Sequence, residues 1–201
     1  NNYASNGGTM INYGYMHLRN ATVSNNAASG SVGIINYNDL VVDSSTLANA
    51  GPHASMSNRK SGDLYFGAII IKDSLLTALP GLNSYNCSSS TGITWNSSGY
   101  NIFSDATCPS TGTGDLINTD PRLGPLGNWG GPTMTRPLRA GSSAVNHRPD
   151  VCMTIPYSPV LPIEPLLVDQ RYYPRGDGMC DTGAFEGTAE VVDIFLPLVL
   201  K

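Results

Sequence analysis

The residues best suited to chemistry gather near the C-terminal end of this chain, where Asp169, Asp177, Asp181 and Glu186 are interleaved with Arg171 and Arg175. Carboxylates at a fixed separation hydrolyse glycosidic bonds, and an acidic calcium-binding cluster beside a basic residue can take a proton from a sugar. The same residue types also make ion pairs and turn caps, and such networks imitate sites. The plainer reading is favoured: these groups hold the segments "DQR" and "CDTGAFE" together. Acids elsewhere in the first half are few: Asp39, Asp43, Asp63 and Asp73. Asp43 and Asp73 fall at neighbouring positions of a repeat described below, where an exposed pair is expected. A pair without a partner base is weak ground for catalysis. No histidine has Ser and Asp at triad spacing, and Gly112 and Gly114 open no helix that would cradle phosphate. No catalytic residue is assigned.

Metal chemistry fares no better. His17, His53 and His147 stand far from one another and from Cys87, Cys108, Cys152 and Cys180, which lack C-x-x-C spacing. No metal or other cofactor is expected. Four cysteines admit three pairings, of which the sequential one, Cys87 with Cys108 and Cys152 with Cys180, closes two short loops in a region dense with Gly and Pro. That pairing is the expected one, and it favours an oxidising, extracellular setting. Three glycosylation triplets start at Asn20, Asn86 and Asn96. They arise by chance in a chain this rich in Asn and Ser, and Asn20 is better suited to a corner between strands.

Charged residues make up 13% of the 201 residues, against about 25% in ordinary domains, so neutral polar groups must supply most of the surface. A net charge of -4 without a basic stripe argues against nucleic acid as a partner. No segment reaches the ~18 apolar residues of a membrane-spanning helix. The chain opens at Asn1 without Met or a signal peptide, and further coils are expected ahead of it.

The elements that must position these groups show in a repeat. "INY" occurs at Ile11-Asn12-Tyr13 and again at Ile35-Asn36-Tyr37, and the same offset sets Leu18 over Val42, Thr22 over Thr46 and Val23 over Leu47. A looser third copy reads Leu64-Tyr65-Phe66-Gly67, then Ile71, Ser74 and Leu76, with the extra residues assigned to a loop in "PHASMSNRKSGD". A period in the low twenties, built from short β-type runs broken by Gly, Asn and Ser, predicts a solenoid with one coil per repeat. Each coil is expected to place Ile, Leu and Val inside, over the same residue type in the next coil, with Ser, Thr and Asn outside. A turn of such a solenoid buries its apolar side chains only against another turn.

Beyond the coils the chain reads "SSGYNIFSDATC", "GDLINTDPRLGPLGNWGGPTMTRPLRAGSSAVN" and "DQRYYPRGDGMCDTGAFEG". In these ordered blocks it resembles the C-terminal portion of bacterial secreted right-handed β-helix proteins of the choice-of-anchor Q type, related to polymorphic outer-membrane-protein repeats. The resemblance spans roughly residues 8 to 187. It implies an all-β fold, a right-handed parallel β-helix with an irregular, disulfide-stapled C-terminal cap. Two features depart from the pattern: Ser143 and Asn146 stand where the family has Pro and Asp, and the Pro-rich stretch 153–168 is an insertion without a place in it.

The expected organisation is coils over 1–114, a cap over 115–187 that protects exposed strand edges, and an apolar tail over 188–201. Trp129 is expected to cover the last coil. In the tail, Val192, Ile194, Phe195, Leu196, Leu198 and Leu200 suit a strand folded back on the coils, a sorting or anchoring tail, or a strand donated to a neighbouring subunit. The function expected is that of a non-enzymatic extracellular protein, structural or adhesive, which self-associates or binds cell-surface components. Its rival is a carbohydrate-active enzyme or glycan-binding module, because polysaccharide lyases and glycosidases share this fold.

Overall fold

The short runs between corner residues form strands that pair only with their counterparts one coil away. The structure, a computed structural model, describes residues 3–4, 8–28, 33–49, 53–59, 67–78, 84–91, 94–109, 111–156 and 162–189. The strands, numbered in chain order, fall into three four-stranded parallel sheets. The first holds β2 (Met10–Asn12), β6 (Ile34–Asn36), β9 (Ala54–Asn58) and β12 (Tyr85–Ser89). The second holds β3 (Met16–Arg19), β7 (Leu40–Asp43), β10 (Ile69–Lys72) and β13 (Trp95–Ser97). The third holds β4 (Thr22–Ser24), β8 (Thr46–Asn49), β11 (Leu75–Ala78) and β14 (Ile102–Phe103). A minor pair joins β1 (Tyr3–Ala4) to β5 (Ala27–Ala28). Among the described residues the protein is all-β and solenoid-like, with no helix.

Register follows the repeat. Leu18, Val42 and Ile71 are successive partners in the second sheet, as are Val23, Leu47 and Leu76 in the third. They share one apolar core with Ile34, Met56 and Phe103. In the first sheet the strand period of two reverses part of the sequence reading. Met10 and Asn12 face inward while Ile11, between them, is exposed. Ile35 is buried, but in a separate cluster with Ala54, Tyr37 and Tyr85. Asparagine is therefore an inside residue here. Asn12 Nδ2 donates to Asn36 Oδ1 at 2.7 Å and Asn36 Nδ2 to Asn58 Oδ1 at 2.9 Å. The column ends where Asn58 Nδ2 donates to the carbonyls of Gly67 and Thr94. An amide carries donor and acceptor at one site, so a stack of them satisfies itself without water.

The third member of the Asn column also relocates the third repeat. "MSN" at 56–58 pairs with "IIN" at 34–36, so part of the segment assigned to a loop is strand β9. Leu64, Tyr65 and Phe66 lie outside the described residues. Between the second and third sheets each coil turns through a residue in the left-handed region: Asn20, Ser44, Asp73 and Tyr100, with φ of 48°, 46°, 46° and 55°. Of these, Asn and Asp tolerate this more readily than Ser or Tyr. The stack enforces it on the others, since each corner N–H donates to the coil above at 2.9 to 3.2 Å.

Residues 112–119 lie on the last coil, Leu116 bridging Ile102. The rest of the segment expected to cap the stack runs along its side instead. It covers the outward residues Leu75 and Ile102 with Leu138, Ala144 and Phe185, and Trp129 packs against this second core. It reaches back as far as the first coil: Asn20 Nδ2 donates to the Val168 carbonyl at 2.7 Å and Arg136 Nε to Ser24 Oγ at 2.6 Å. Gly183 fits where no side chain would, because a Cβ there meets Leu75 Cδ1 and Thr46 Oγ1 at 2.8 Å.

Two disulfides staple the fold, Cys87–Cys108 and Cys152–Cys180, with Cα atoms 4.9 and 5.0 Å apart, and they fit an oxidising environment. The first lies in the coil core, Cys87 pairing in register with Met56. The second ties the base of the 153–168 insertion to the "CDTG" segment.

Candidate functional site

The C-terminal charged residues meet at the seam between coils and flank. Asp169 accepts from the backbone N–H of Arg171, Tyr173 and Glu186, and pairs with the Arg171 guanidinium at 2.7 Å. Arg171 lies over two rings, 3.4 Å from the centroid of Phe185 and 4.3 Å from that of Tyr173, and a guanidinium gains from each such contact. Arg175 pairs with Glu186 at 2.6 Å, donates to the carbonyls of Asp181 and Gly183, and reaches Asn20 Oδ1 on the first coil at 3.1 Å. Asp181 accepts from the N–H of Asn146 and of Gly187. Asp177 stands apart, exposed, bonding the Met179 N–H of its own turn. Asp169, Asp181 and Glu186 thus come together with both arginines, and Asp177 does not.

Burial sets the electrostatics. It pushes Glu186 up to about 7, assisted by the Asp181 carboxylate and opposed by Arg175. Asp181 is raised by the same desolvation against its two N–H donors. A carboxyl poised near neutrality suits a general acid. Glu186, however, has 9% of its side chain exposed, and its Oε2 is held by Arg175 and by the Asp181 N–H.

Two of the coil acids, Asp43 and Asp73, are buried as well, which overturns the expected exposed pair. Neither has any solvent-exposed surface. They are also out of register: Asp43 partners Lys72 on β10, while Asp73 occupies the corner that continues from Ser44. Asp43 lies beneath the insertion. Its Oδ2 accepts from Arg19 Nε at 3.1 Å and from the Ile155 N–H at 2.9 Å, with His17 Nε2 at 3.8 Å. The Ile155 and Met153 carbonyls in turn accept from Arg19 and Lys72. Burial raises its pKa, but His17, the Ile155 N–H, Lys72 and Arg19 together hold it below the usual value. Asp73 pairs with Lys72 at 2.9 Å and Arg148 at 3.2 Å. Asp39 is an exposed turn residue accepting from the Ala68 N–H. Asp63 and the tail residues 191–201 lie outside the described residues.

Several sequence candidates stand elsewhere. Tyr13 and Tyr37 stack in parallel on the outside of the coils, centroids 4.9 Å apart, beside exposed Tyr15. Asn20 is a corner residue bonded to the flank, and Asn86 is fully buried. His147 contacts Thr182 and Tyr100, remote from His17. Among the described residues no three His, Cys, Asp or Glu side chains gather to hold a metal, and no helix is long and apolar enough to cross a membrane. No protein-family model, curated protein or solved structure matches this chain.

Proposed function

We propose that this is a secreted, non-enzymatic surface protein, structural or adhesive, in which a right-handed β-helix of the choice-of-anchor Q type serves as a rigid scaffold. The observation that carries the reading is where the buried charges go. Asp43, Asp73, Asp169, Asp181 and Glu186 each bond to guanidinium, ammonium or backbone N–H groups that join one segment to another. Polar groups bonded in this way fasten the flank along the coils, and buried pairs of this kind are costly to break. Two disulfides in a chain of 201 residues support passage through an oxidising compartment.

The apolar sequence "VVDIFLPLVLK" at 191–201 supports self-association, since an apolar run of β-type residues favours pairing with another chain. Electron microscopy of the purified protein, with a parallel screen for release of reducing ends from polysaccharides, tests the proposal. Filaments or lattices without sugar release are expected. Isolated monomers that cleave a polysaccharide would replace it with the enzymatic alternative.

A further inference from the structure

An open cleft of about 790 Å³ lies where the ends of β11 and β14 meet the flank, and three guanidiniums line it, those of Arg122, Arg136 and Arg139. Their placement is unusual in two ways. Leu123 bridges Leu138 in antiparallel fashion, and the Arg139 N–H donates to the Arg122 carbonyl at 3.1 Å. Arg122 and Arg139 are therefore directly opposite one another on a short ladder, where like charges repel. Arg122 also holds a left-handed backbone, φ 49°, fixed by its N–H to Asp120 Oδ1 at 2.8 Å. Backbone strain at a non-glycine residue persists only where its surroundings enforce it, and such residues cluster at binding sites.

Among the described residues these guanidiniums also make no ion pair. Arg136 is buried in the wall, 8% exposed, and bonds only neutral acceptors: Ser24 Oγ, Asn25 Oδ1 and the Gly124 carbonyl. Arg122 and Arg139 are exposed, and among the described residues neither guanidinium has a hydrogen-bond or ion-pair partner in the protein. Three cations share one opening with the carboxylates of Asp105 and Asp120, and among the described residues neither carboxylate pairs with a guanidinium there, whereas every other buried cation at the seam faces a carboxylate. The rest of the lining mixes polar and apolar groups. Exposed Asn118 and the second carboxylate oxygen of Asp120 are available to hydroxyl groups, and Ala78, Pro121, Leu123 and Ala140 supply the apolar part.

We propose that this cleft binds an acidic oligosaccharide, its carboxylate held by the opposed Arg122 and Arg139 and its hydroxyls by Asn118 and Asp120. Guanidinium forks match carboxylate geometry, and the hydroxyl-bonding groups of Asn118 and Asp120 beside them favour a hydroxyl-rich ligand over an acidic peptide. This goes beyond the scaffold reading: a scaffold without filaments could still bind, and filaments could form without binding.

Calorimetric titration of the whole chain tests the proposal with four probes: a hyaluronan tetrasaccharide, its carboxyl methyl ester, inorganic sulfate and tetraglutamate. The acidic tetrasaccharide should bind, and the ester should bind at least about tenfold more weakly, the loss of one charge-assisted contact. Arg139→Gln and Arg122→Gln should each weaken it by a similar factor. Arg139→Gln should leave thermal melting unchanged, because that side chain is exposed and makes no bond. Asp120→Asn should weaken the ester and the acid alike. Equal affinity for acid and ester, or undiminished binding by both Arg variants, would overturn the proposal. Sulfate or tetraglutamate binding as tightly as the tetrasaccharide would overturn its saccharide part.

Discussion

The carboxylate of Asp43, without solvent exposure at the end of a coil strand, accepts the backbone N–H of Ile155 at 2.9 Å across 112 residues of sequence. That bond seats the Pro-rich insertion on the outer face of the second sheet. It also turns a residue that reads as a surface acid into a structural one. Asp43→Ala would leave the Ile155 N–H and Arg19 without their acceptor, and should cost about 3 kcal/mol. Asp39→Ala, at an exposed turn, should cost under about 0.5 kcal/mol. Urea unfolding of the two variants checks the contrast, and equal midpoints would contradict it.

The Asn column makes a second prediction. Asn36 both donates and accepts within it, so Asn36→Ala should strand buried partners on Asn12 and Asn58 and cost roughly 2–4 kcal/mol. Ile11→Ala, at the exposed position beside the column, should cost far less. Thermal melting of both variants decides between an inward asparagine and an inward isoleucine.

In the adjacent core, Val42 is fully buried between Leu18 and Ile71. Val42→Asp would place an unpaired carboxylate among apolar neighbours at a cost of several kcal/mol. Loss of the folded signal in circular dichroism is expected. A folded variant would mean that this position faces outward.

Glu186 makes stability depend on pH. Its folded-state value of about 7 lies above the ordinary 4.5, so the fold favours the protonated form. The stabilisation is fully present below pH about 4.5 and is lost as pH rises through about 7, with a slope of at most ~1.4 kcal/mol per pH unit. Asp181, also raised, acts in the same direction. Asp43, lowered, acts in the opposite one: its contribution is present above its ordinary pKa and is lost as pH falls through the depressed folded value. Glu186→Gln should flatten the decline between pH 4.5 and 7 and leave the acid limb intact. An unchanged profile would show that Glu186 is ionised throughout.

The coils were legible because their signal is local and periodic. Leu18 and Val42, or Val23 and Leu47, sit one period apart and face the same core. What escaped the reading was set by partners rather than pattern. Asn12 and Asn36 were assigned outward because polarity stood in for exposure, yet an amide ladder removes the cost of burial. Strand β9 was hidden by its composition, "ASMSN", and by a repeat two residues shorter than the one before. The seam is built from contacts such as Arg175 to Asn20, 155 residues apart, which leave no local trace. The arginines of the cleft are scattered along an irregular stretch and converge only through the Leu123–Leu138 bridge. Arg and Asp side by side in the sequence do show that pairs can form; they do not show which coil receives them.

The central claim is that coils and flank form one rigid unit fastened by these buried groups, and native-state hydrogen exchange tests it most directly. The amides of Ile155, Gly183 and Ala184 bond to coil acceptors on Asp43, Asp73 and Thr46, while those of Leu40 and Ile69 bond coil to coil. A single unit predicts that both groups exchange with the same opening free energy and the same dependence on denaturant. Faster exchange of the three flank amides, through an opening that leaves Leu40 and Ile69 protected, would show that the flank detaches on its own and would contradict the account.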